Sequence, residues 1–598
     1  MTESGSGTAD DSAASAELRR AVAFLGWDVT AERVVDLGYR VGVAVGIVVT
    51  VVAGVIGGAV AAGPAGLAAA VTGVHAVHRA PVWLASLRRT RALGAAPGLV
   101  GRLVLRMRLD PSTERAVGFA ARTGDGPLAA ALSRYERGSA DGPTSGLQAF
   151  AREWRPWFPA IDRAAALVRT AATAPPECRG RCLDRALDAT LSGTTDRLAE
   201  FVGAVRGPVS ALYAFGVLLP LALIALLPAG AAAGVAIGPG IVAGLYLVAL
   251  PGGLVAASAW LLSRRPVAFP PPQVGGDHPE VPNRLKSAVL VGCALGAVGA
   301  VVAARTVAPW AWPVAGIGVG VGGTLFVVAR PRRAVLSDVR EIERGLPDAM
   351  TVIGGDVAEG VAVETAVANA GERLDGATGD VFERAGRRSD TLRVGVSEAF
   401  LGRGGPAATV PSPRLRGAIA LLAVAAREGR PAGDILLELA DQLESLRDLE
   451  RDARRQLATV TGTLSNTAAV FAPLVGGATV ALATGIDAAD VGSLGAGAAA
   501  GADALGGGLS ASGGTTAAGA ETAASGGDPA GGAGALSVPV LGRIVGTYVL
   551  LLAALLTGLA TGLERGFDRT LVAYRIGIAL PTATATFLVA FAGAGFLF

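Results

Sequence analysis

The stretch Asp434-Ile-Leu-Leu-Glu-Leu-Ala-Asp-Gln-Leu-Glu-Ser-Leu-Arg-Asp-Leu-Glu-Arg-Asp-Ala-Arg-Arg455 decides how this chain is read. Leu436, Leu439, Leu443, Leu446 and Leu449 recur at three and four residues, which is one stripe of an α-helix. Asp434 follows a Pro431/Gly433 break and is the expected N-cap. Glu438, Asp441, Glu444, Asp448 and Asp452 fall on the opposite face, and Arg451, Arg454 and Arg455 follow them. Acid early and base late complements the helix dipole. An apolar run of spanning length starts at Asn466, so these arginines are expected beside anionic headgroups.

This helix closes a polar block, Glu341–Leu464, with apolar stretches on both sides. The 598-residue chain is 51% hydrophobic and only 17% charged, against about 25% charged in soluble domains. Its mean hydropathy is +0.50. A helix of roughly 20 apolar residues crosses a bilayer. Nine such runs are expected, near Val41–Ala62, Pro64–Leu84, Pro208–Leu227, Gly234–Leu262, Ser287–Val307, Trp310–Ala329, Asn466–Ile486, Leu541–Leu563 and Ile576–Phe598. Pro239 and Pro251 are expected to tilt or break the fourth. The fold class is therefore all-α, a polytopic membrane protein of about nine transmembrane helices carrying two cytoplasmic helical bundles.

Arginine placement sets the expected topology. Residues 85–207 and 330–462 are rich in Arg, as are the links Ser263–Lys286 and Glu564–Arg575. Between Arg455 and Arg543 there is no Arg or Lys, only acids. Nine spans put every basic segment on one side, with the N-terminus cytoplasmic and Phe598 outside. Trp83, Trp260, Trp310 and Trp312 fall at expected span ends, where indoles prefer the interface. The Gly/Ala/Ser-rich stretch 487–540 cannot bury enough apolar surface to order itself and is expected to be a disordered outer spacer. Residues 1–16 lack a basic n-region and an apolar core and are expected to be a disordered cytoplasmic tail.

The two polar blocks follow one plan. Asp110–Phe119, Gly138–Gly146, Pro159–Arg169 and Pro175–Arg206 in the first correspond to Val361–Ala370, Gly402–Pro413, Arg416–Arg427 and Pro431–Val460 in the second. A repeat on this scale implies internal duplication. The expected organisation is 1–16 tail, 17–84 an N-terminal helix and two spans, 85–207 the first helical domain and 208–329 a four-span bundle. The second helical domain, 330–464, is followed by a span at 465–486, the outer loop at 487–540 and two spans at 541–598.

No catalytic constellation is read from the residues, and no cofactor or metal is expected. A P-loop needs Gly-Lys-Ser/Thr, and the one lysine, Lys286, follows Leu285. Gly316-Ile-Gly-Val-Gly-Val-Gly-Gly323 lies inside an apolar span, where small residues serve helix packing. Cys178 and Cys182 lack the further ligands that zinc requires. His75 and His78 form a two-member pair near a span end. A net charge of +3 gives no bulk attraction to nucleic acid. Span interiors hold no Asp or Glu, which argues against an ion-coupled transporter, although Pro220, Pro239 and Pro251 leave a transporter or permease as the alternative.

Glu343-Arg-Gly-Leu-Pro-Asp-Ala-Met350 resembles the opening of the type II secretion system F domain, where a Leu-Pro-Asp-Ala segment starts the helical repeat. Glu359-Gly-Val-Ala-Val-Glu-Thr-Ala366, Arg393-Val-Gly-Val-Ser-Glu-Ala-Phe400 and the segment Ala425–Leu457 look like the helices that follow. The motif positions are Leu346, Pro347, Asp348, Gly360 and Gly395. The first block resembles the same domain more distantly, with an insertion at Trp154–Phe158 and no Leu-Pro-Asp opening. Paired domains and nine spans resemble the archaeal branch, the platform proteins of type IV pilus and archaellum assembly. The resemblance implies a non-enzymatic protein of the cytoplasmic membrane. It also implies a hexameric secretion ATPase docked on the cytoplasmic side, pilin-like subunits and lipid beside the spans, and a homodimer facing the ATPase ring. The docking surface would include Asp434, Glu438, Asp441, Glu444, Asp448 and Arg451.

Overall fold

A computed structural model describes residues 16–57, 59–124, 126–138, 143–232, 238–265, 278, 281, 285–428, 432–483, 537–566 and 568–595. The tail, nearly all of the expected 487–540 spacer and most of the link 263–286 lie outside them. The described residues are mostly helical, with no strand among them. Helix α1 (Ala16–Leu25) packs on the antiparallel pair α2 (Ala31–Gly57) and α3 (Ala59–Leu93). A first block follows: α4 (Ala96–Leu109), α5 (Thr113–Thr123), α6 (Gly126–Gly138), α7 (Pro143–Trp154), α8 (Pro159–Thr173) and α9 (Pro176–Tyr213). Then come α10 (Leu219–Ala232), α11 (Pro239–Gly244), α12 (Leu250–Arg264), α13 (Leu285–Thr306) and α14 (Trp312–Ala358).

The second block comprises the end of α14 with α15 (Val363–Arg373), α16 (Gly376–Leu392), α17 (Val396–Leu401), α18 (Pro413–Glu428) and α19 (Ala432–Asn466). Helix α20 (472–483) continues α19, and α21 (Val538–Arg565) and α22 (Arg569–Gly595) complete the chain. Among the described residues, seven helices or continuous helical runs are long and apolar enough to cross a membrane. They are Pro176–Ile224, Pro239–Arg264, Leu285–Thr306, Pro309–Ala358, Ala432–Ala483, Val538–Arg565 and Arg569–Gly595. The expected spans Val41–Ala62 and Pro64–Leu84 are not among the seven. Their residues form α2 and α3, and the side chains at 51–62 lie outside the described ones.

Among the described residues, three large cores organise the fold. The first block closes around Leu103, Leu128, Phe150 and Trp154. The second closes around Leu346, Ile353, Phe382 and Phe400 and also takes in Leu105 and Phe119 from the first block. The third gathers the apolar helices around α21, where Val545, Tyr548, Leu552 and Leu556 are fully buried. Trp310 belongs to this core, edge-on to Phe591 at 5.2 Å. Two aromatic rings of α22 and the bare backbone of Gly542 accept its ring and bury it.

Pro239, expected to tilt or break the fourth span, opens α11, whereas Pro220, Pro251 and Pro473 do not break their helices. Each of the π-helical turns Ala214–Leu218, Leu245–Ala249 and Thr467–Phe471 ends two residues before a proline, Pro220, Pro251 and Pro473. A proline lacks an N–H and crowds the carbonyl four residues back. The wider π turn relieves that clash and lets the helix continue. Pro347 also lies within a helix. Leu346-Pro347 was expected to open the block, yet α14 runs from Trp312 to Ala358 without interruption, through Pro331 and Pro347. The expected boundary at 330 therefore falls inside one continuous helix. The packing of Leu346 and Met350 into the second core outweighs the local cost of the proline.

The blocks share more than element order. Gly66/Gly316, Pro81/Pro331, Pro97/Pro347, Glu114/Glu364, Val117/Val367 and Gly126/Gly376 all stand a constant 250 residues apart. Both α5 and α15 have 11 residues. Gly126 and Gly376 both open their helices at positive φ, +86° and +73°. Leu128, Ala129, Ala131 and Leu132 are buried, as are Thr378, Gly379, Val381 and Phe382. Pro97 at the head of α4 thus stands where Pro347 does, and Ala96 where Leu346 does. The preceding hairpins also match: glycines let α2 meet α3 at Gly42 and Gly73, and let α13 meet α14 at Gly296 and Gly320.

Candidate functional site

The charged face of α19 is where sequence reasoning placed partner docking. The helix begins at Ala432, so Asp434 lies in its first turn rather than at its cap. An acid there still faces the positive end of the helix dipole. Leu436, Leu439 and Leu446 are buried, and Leu443 and Leu449 are half-buried, as the stripe requires. Asp434, Asp441, Glu444, Asp448 and Arg451 are exposed. Arg451 pairs with Asp448 at 2.8 Å and Arg455 with Asp452 at 3.4 Å. Exposed pairs of this kind contribute about 0–1 kcal/mol, so these charges serve recognition better than stability.

Glu438 stands apart from the other five. It is turned toward the first block, 2.5 Å from Arg108 of α4. Arg108 also pairs with Asp184 of α9, so one guanidinium joins α4, α9 and α19. Burial pushes the Glu438 carboxyl above its ordinary value, with the charge of Arg108 opposing. One turn along, the Gln442 side chain lies directly over Gly101, where any Cβ would overlap its amide. Leu105 then enters the second core. Gly101, Leu105 and Arg108 form a single stripe of α4, and α19 covers it.

Toward the apolar run, Glu450 accepts from Arg414 at 3.2 Å and from Arg454 at 2.5 Å. Arg414 lies 3.7 Å from Glu343, which accepts from Ser412 at 2.6 Å. The Ser412 hydroxyl in turn accepts from the Leu415 N–H at 3.1 Å and so caps α18. This network ties α14, α18 and α19 together. Sequence reasoning missed it because its members lie far apart in the chain and carry no spacing signal.

The motif positions divide by role. Leu346 and Pro347 are buried, and Asp348 is exposed. Gly360 has φ +97° and ends α14, with Val361 N–H donating to Asp356 O at 3.0 Å, a Schellman-type closure that needs glycine. Gly395 has an ordinary extended φ and open space around it. His78 packs edge-on to Tyr39 at 5.5 Å with its Nε2 3.2 Å from Val35 O, while His75 is exposed. Among the described residues no three His, Cys, Asp or Glu side chains converge as a metal site requires. What α19 offers chemically is a rigid face of alternating charge on a helix continuous with an apolar run.

No protein-family model matches the chain, and neither a curated protein nor a solved structure does.

Proposed function

We propose that this chain is the membrane platform of a filament-assembly or secretion machine of the type IV pilus kind. In this reading both blocks face the cytoplasm, a hexameric secretion ATPase docks on them, and pilin-like subunits leave the bilayer beside the spans. The observation that carries it is continuity. Helix α14 and the run α19–α20 pass from polar block to apolar stretch without a break in the helix. A force applied to a block therefore reaches the apolar bundle through two rods. The arginine asymmetry and the repeated block support the same reading.

The test is co-purification with the secretion ATPase after crosslinking in native membranes. The triple variant Asp441→Lys, Glu444→Lys, Asp448→Lys should lose that association while unfolding at the same temperature, because all three side chains are exposed. Unchanged association would remove docking from this face. No ATPase recovered with the unaltered chain would count against the platform itself.

A further inference from the structure

The arginines that follow the acids of α19 divide into two kinds. Arg451 and Arg455 each pair with the carboxylate three residues back, Asp448 and Asp452. The charge of Arg454 instead acts on Arg340 of α14. Both belong to a junction where α12, α14, α19, α21 and α22 come together at the polar end of the α21 apolar run. Leu563 is fully buried there, and the charges begin with the next residue, Glu564.

Glu564 accepts from Arg575 at 2.7 Å and from Arg565 at 3.2 Å. Arg265, buried just past α12, donates to the carbonyls of Leu563 and Glu564 and closes the C-terminus of α21. Glu450 accepts from Arg454 and from Arg414, which also has Glu343 at 3.7 Å. Asp568 uses one oxygen on the Thr570 and Leu571 N–H groups at the start of α22. Its other oxygen is buried without a hydrogen-bond partner, 4.0 Å from Arg340. The charges of Arg565 and Arg454 both act on Arg340, and Asp568 and Glu450 oppose them. Five guanidiniums, of Arg265, Arg340, Arg454, Arg565 and Arg575, thus meet three carboxylates, of Glu450, Glu564 and Asp568, and two positive charges are left over. A guanidinium does not give up its proton, and a surplus of partly buried charge is costly unless an anion completes it.

We propose that this junction binds the phosphate group of a phosphate ester, held by Arg340, Arg454 and Arg565. A phosphodiester carries one negative charge and accepts the paired N–H groups that a guanidinium presents. The three side chains are between 27% and 45% exposed, so a ligand reaches them. Arg265 is buried and acts through its charge alone. The level suits the ligand, because a bilayer presents its phosphates where an apolar run ends, and basic pockets between spans take anionic headgroups. Inorganic phosphate from solution offers the same chemistry. The inference rests on the charge cluster and does not depend on the platform reading.

The test uses the full chain purified in a zwitterionic detergent. Added phosphatidylglycerol, whose phosphodiester charge is not offset within the headgroup, should raise the unfolding temperature. It should also stay bound in native mass spectra several-fold more than phosphatidylcholine. The double variant Arg454→Gln, Arg565→Gln should lose that difference. It leaves Glu450 with Arg414 and Glu564 with Arg575, so without lipid it should unfold no lower than the unaltered chain. Arg455→Gln, an exposed control taken from the pair with Asp452, should respond as the unaltered chain does. A response to millimolar inorganic phosphate alone, lost in the same double variant, would uphold the site and make its ligand a soluble phosphate. No response to either probe, a double variant that responds like the unaltered chain, or an equal loss in Arg455→Gln would each overturn the proposal.

Discussion

The Tyr548 hydroxyl donates to the Gly216 carbonyl at 2.8 Å, across 332 residues of sequence. Gly216 stands four residues before Pro220, so its carbonyl has lost the helical N–H it would otherwise accept from. Beside it, the Tyr246 hydroxyl donates to Pro220 O at 2.7 Å, and the two rings meet edge-on at 5.2 Å. Removing one partner of a buried hydrogen bond leaves the other unsatisfied, at about 1–3 kcal/mol. Tyr548→Phe is therefore expected to destabilise the apolar bundle by that amount. Thermal unfolding in a fixed detergent measures it, and an unchanged transition would mean that the π turn satisfies Gly216 by itself.

The joint between the blocks should depend on pH. Burial holds the Glu438 carboxyl above its ordinary value of 4.5. An acid whose folded value is raised contributes stability that is fully present below the unfolded value and is lost as pH rises through the folded one. Stability should thus fall as pH climbs from 4.5 upward, and Glu438→Gln should flatten that part of the profile. Unfolding midpoints collected across this range decide the sign.

Arg108→Ala should act differently from the Gln variant. It leaves Glu438 half-buried opposite Asp184 with no cation between them. The expected loss is about 1–3 kcal/mol, and limited proteolysis between the blocks should accelerate. A proteolysis rate equal to that of the unaltered chain would show that Leu105 and Gln442 hold the joint unaided.

Helix α13 meets α14 at backbone distance. A Cβ on Gly292 would overlap the Thr324 hydroxyl and stand 2.7 Å from Gly320 O. Overpacking of this kind costs about 1–3 kcal/mol. Gly292→Ala is expected to lower the unfolding temperature, and Thr324→Ala in the same chain should recover part of the loss. The carbonyl of Gly320 remains in the way, so recovery should be incomplete.

The paired glycines allow a comparison within one molecule. Gly126 and Gly376 share the left-handed backbone, which costs an L-residue about 1–2 kcal/mol. A Cβ at Gly126 meets open space, whereas one at Gly376 stands 2.7 Å from Glu341 Oε1. Alanine should cost more at 376 than at 126. Equal losses in paired unfolding experiments would mean that the Glu341 side chain moves aside freely.

Much of the architecture was legible before any coordinates. The Leu436–Leu449 stripe, the apolar runs from Pro208 onward and the likeness of Asp110–Phe119 to Val361–Ala370 all rest on periodicity and length. The exact register of the repeat was not legible. Ala96-Pro97-Gly98 does not look like Leu346-Pro347-Asp348 until the helices α5 and α15 set the separation. A proline also misled: Pro251 was expected to tilt or break its span, yet the helix passes it after a π turn, while Pro239 does open a helix.

By itself the sequence determined which segments are helical and which of them suit lipid, because helix period and hydropathy are properties of neighbours along the chain. It also determined that α19 has an acidic face. The tertiary structure decided which of those acids remain on the surface. Glu438 looks no different from Asp441 or Glu444 in the sequence, but Arg108 reaches it from more than 300 residues away and withdraws it into the joint between the blocks. Pairing between distant charges depends on how helices are set against one another, and that is fixed by the close approach of Gly101 to Gln442 and by Leu105 entering the second core.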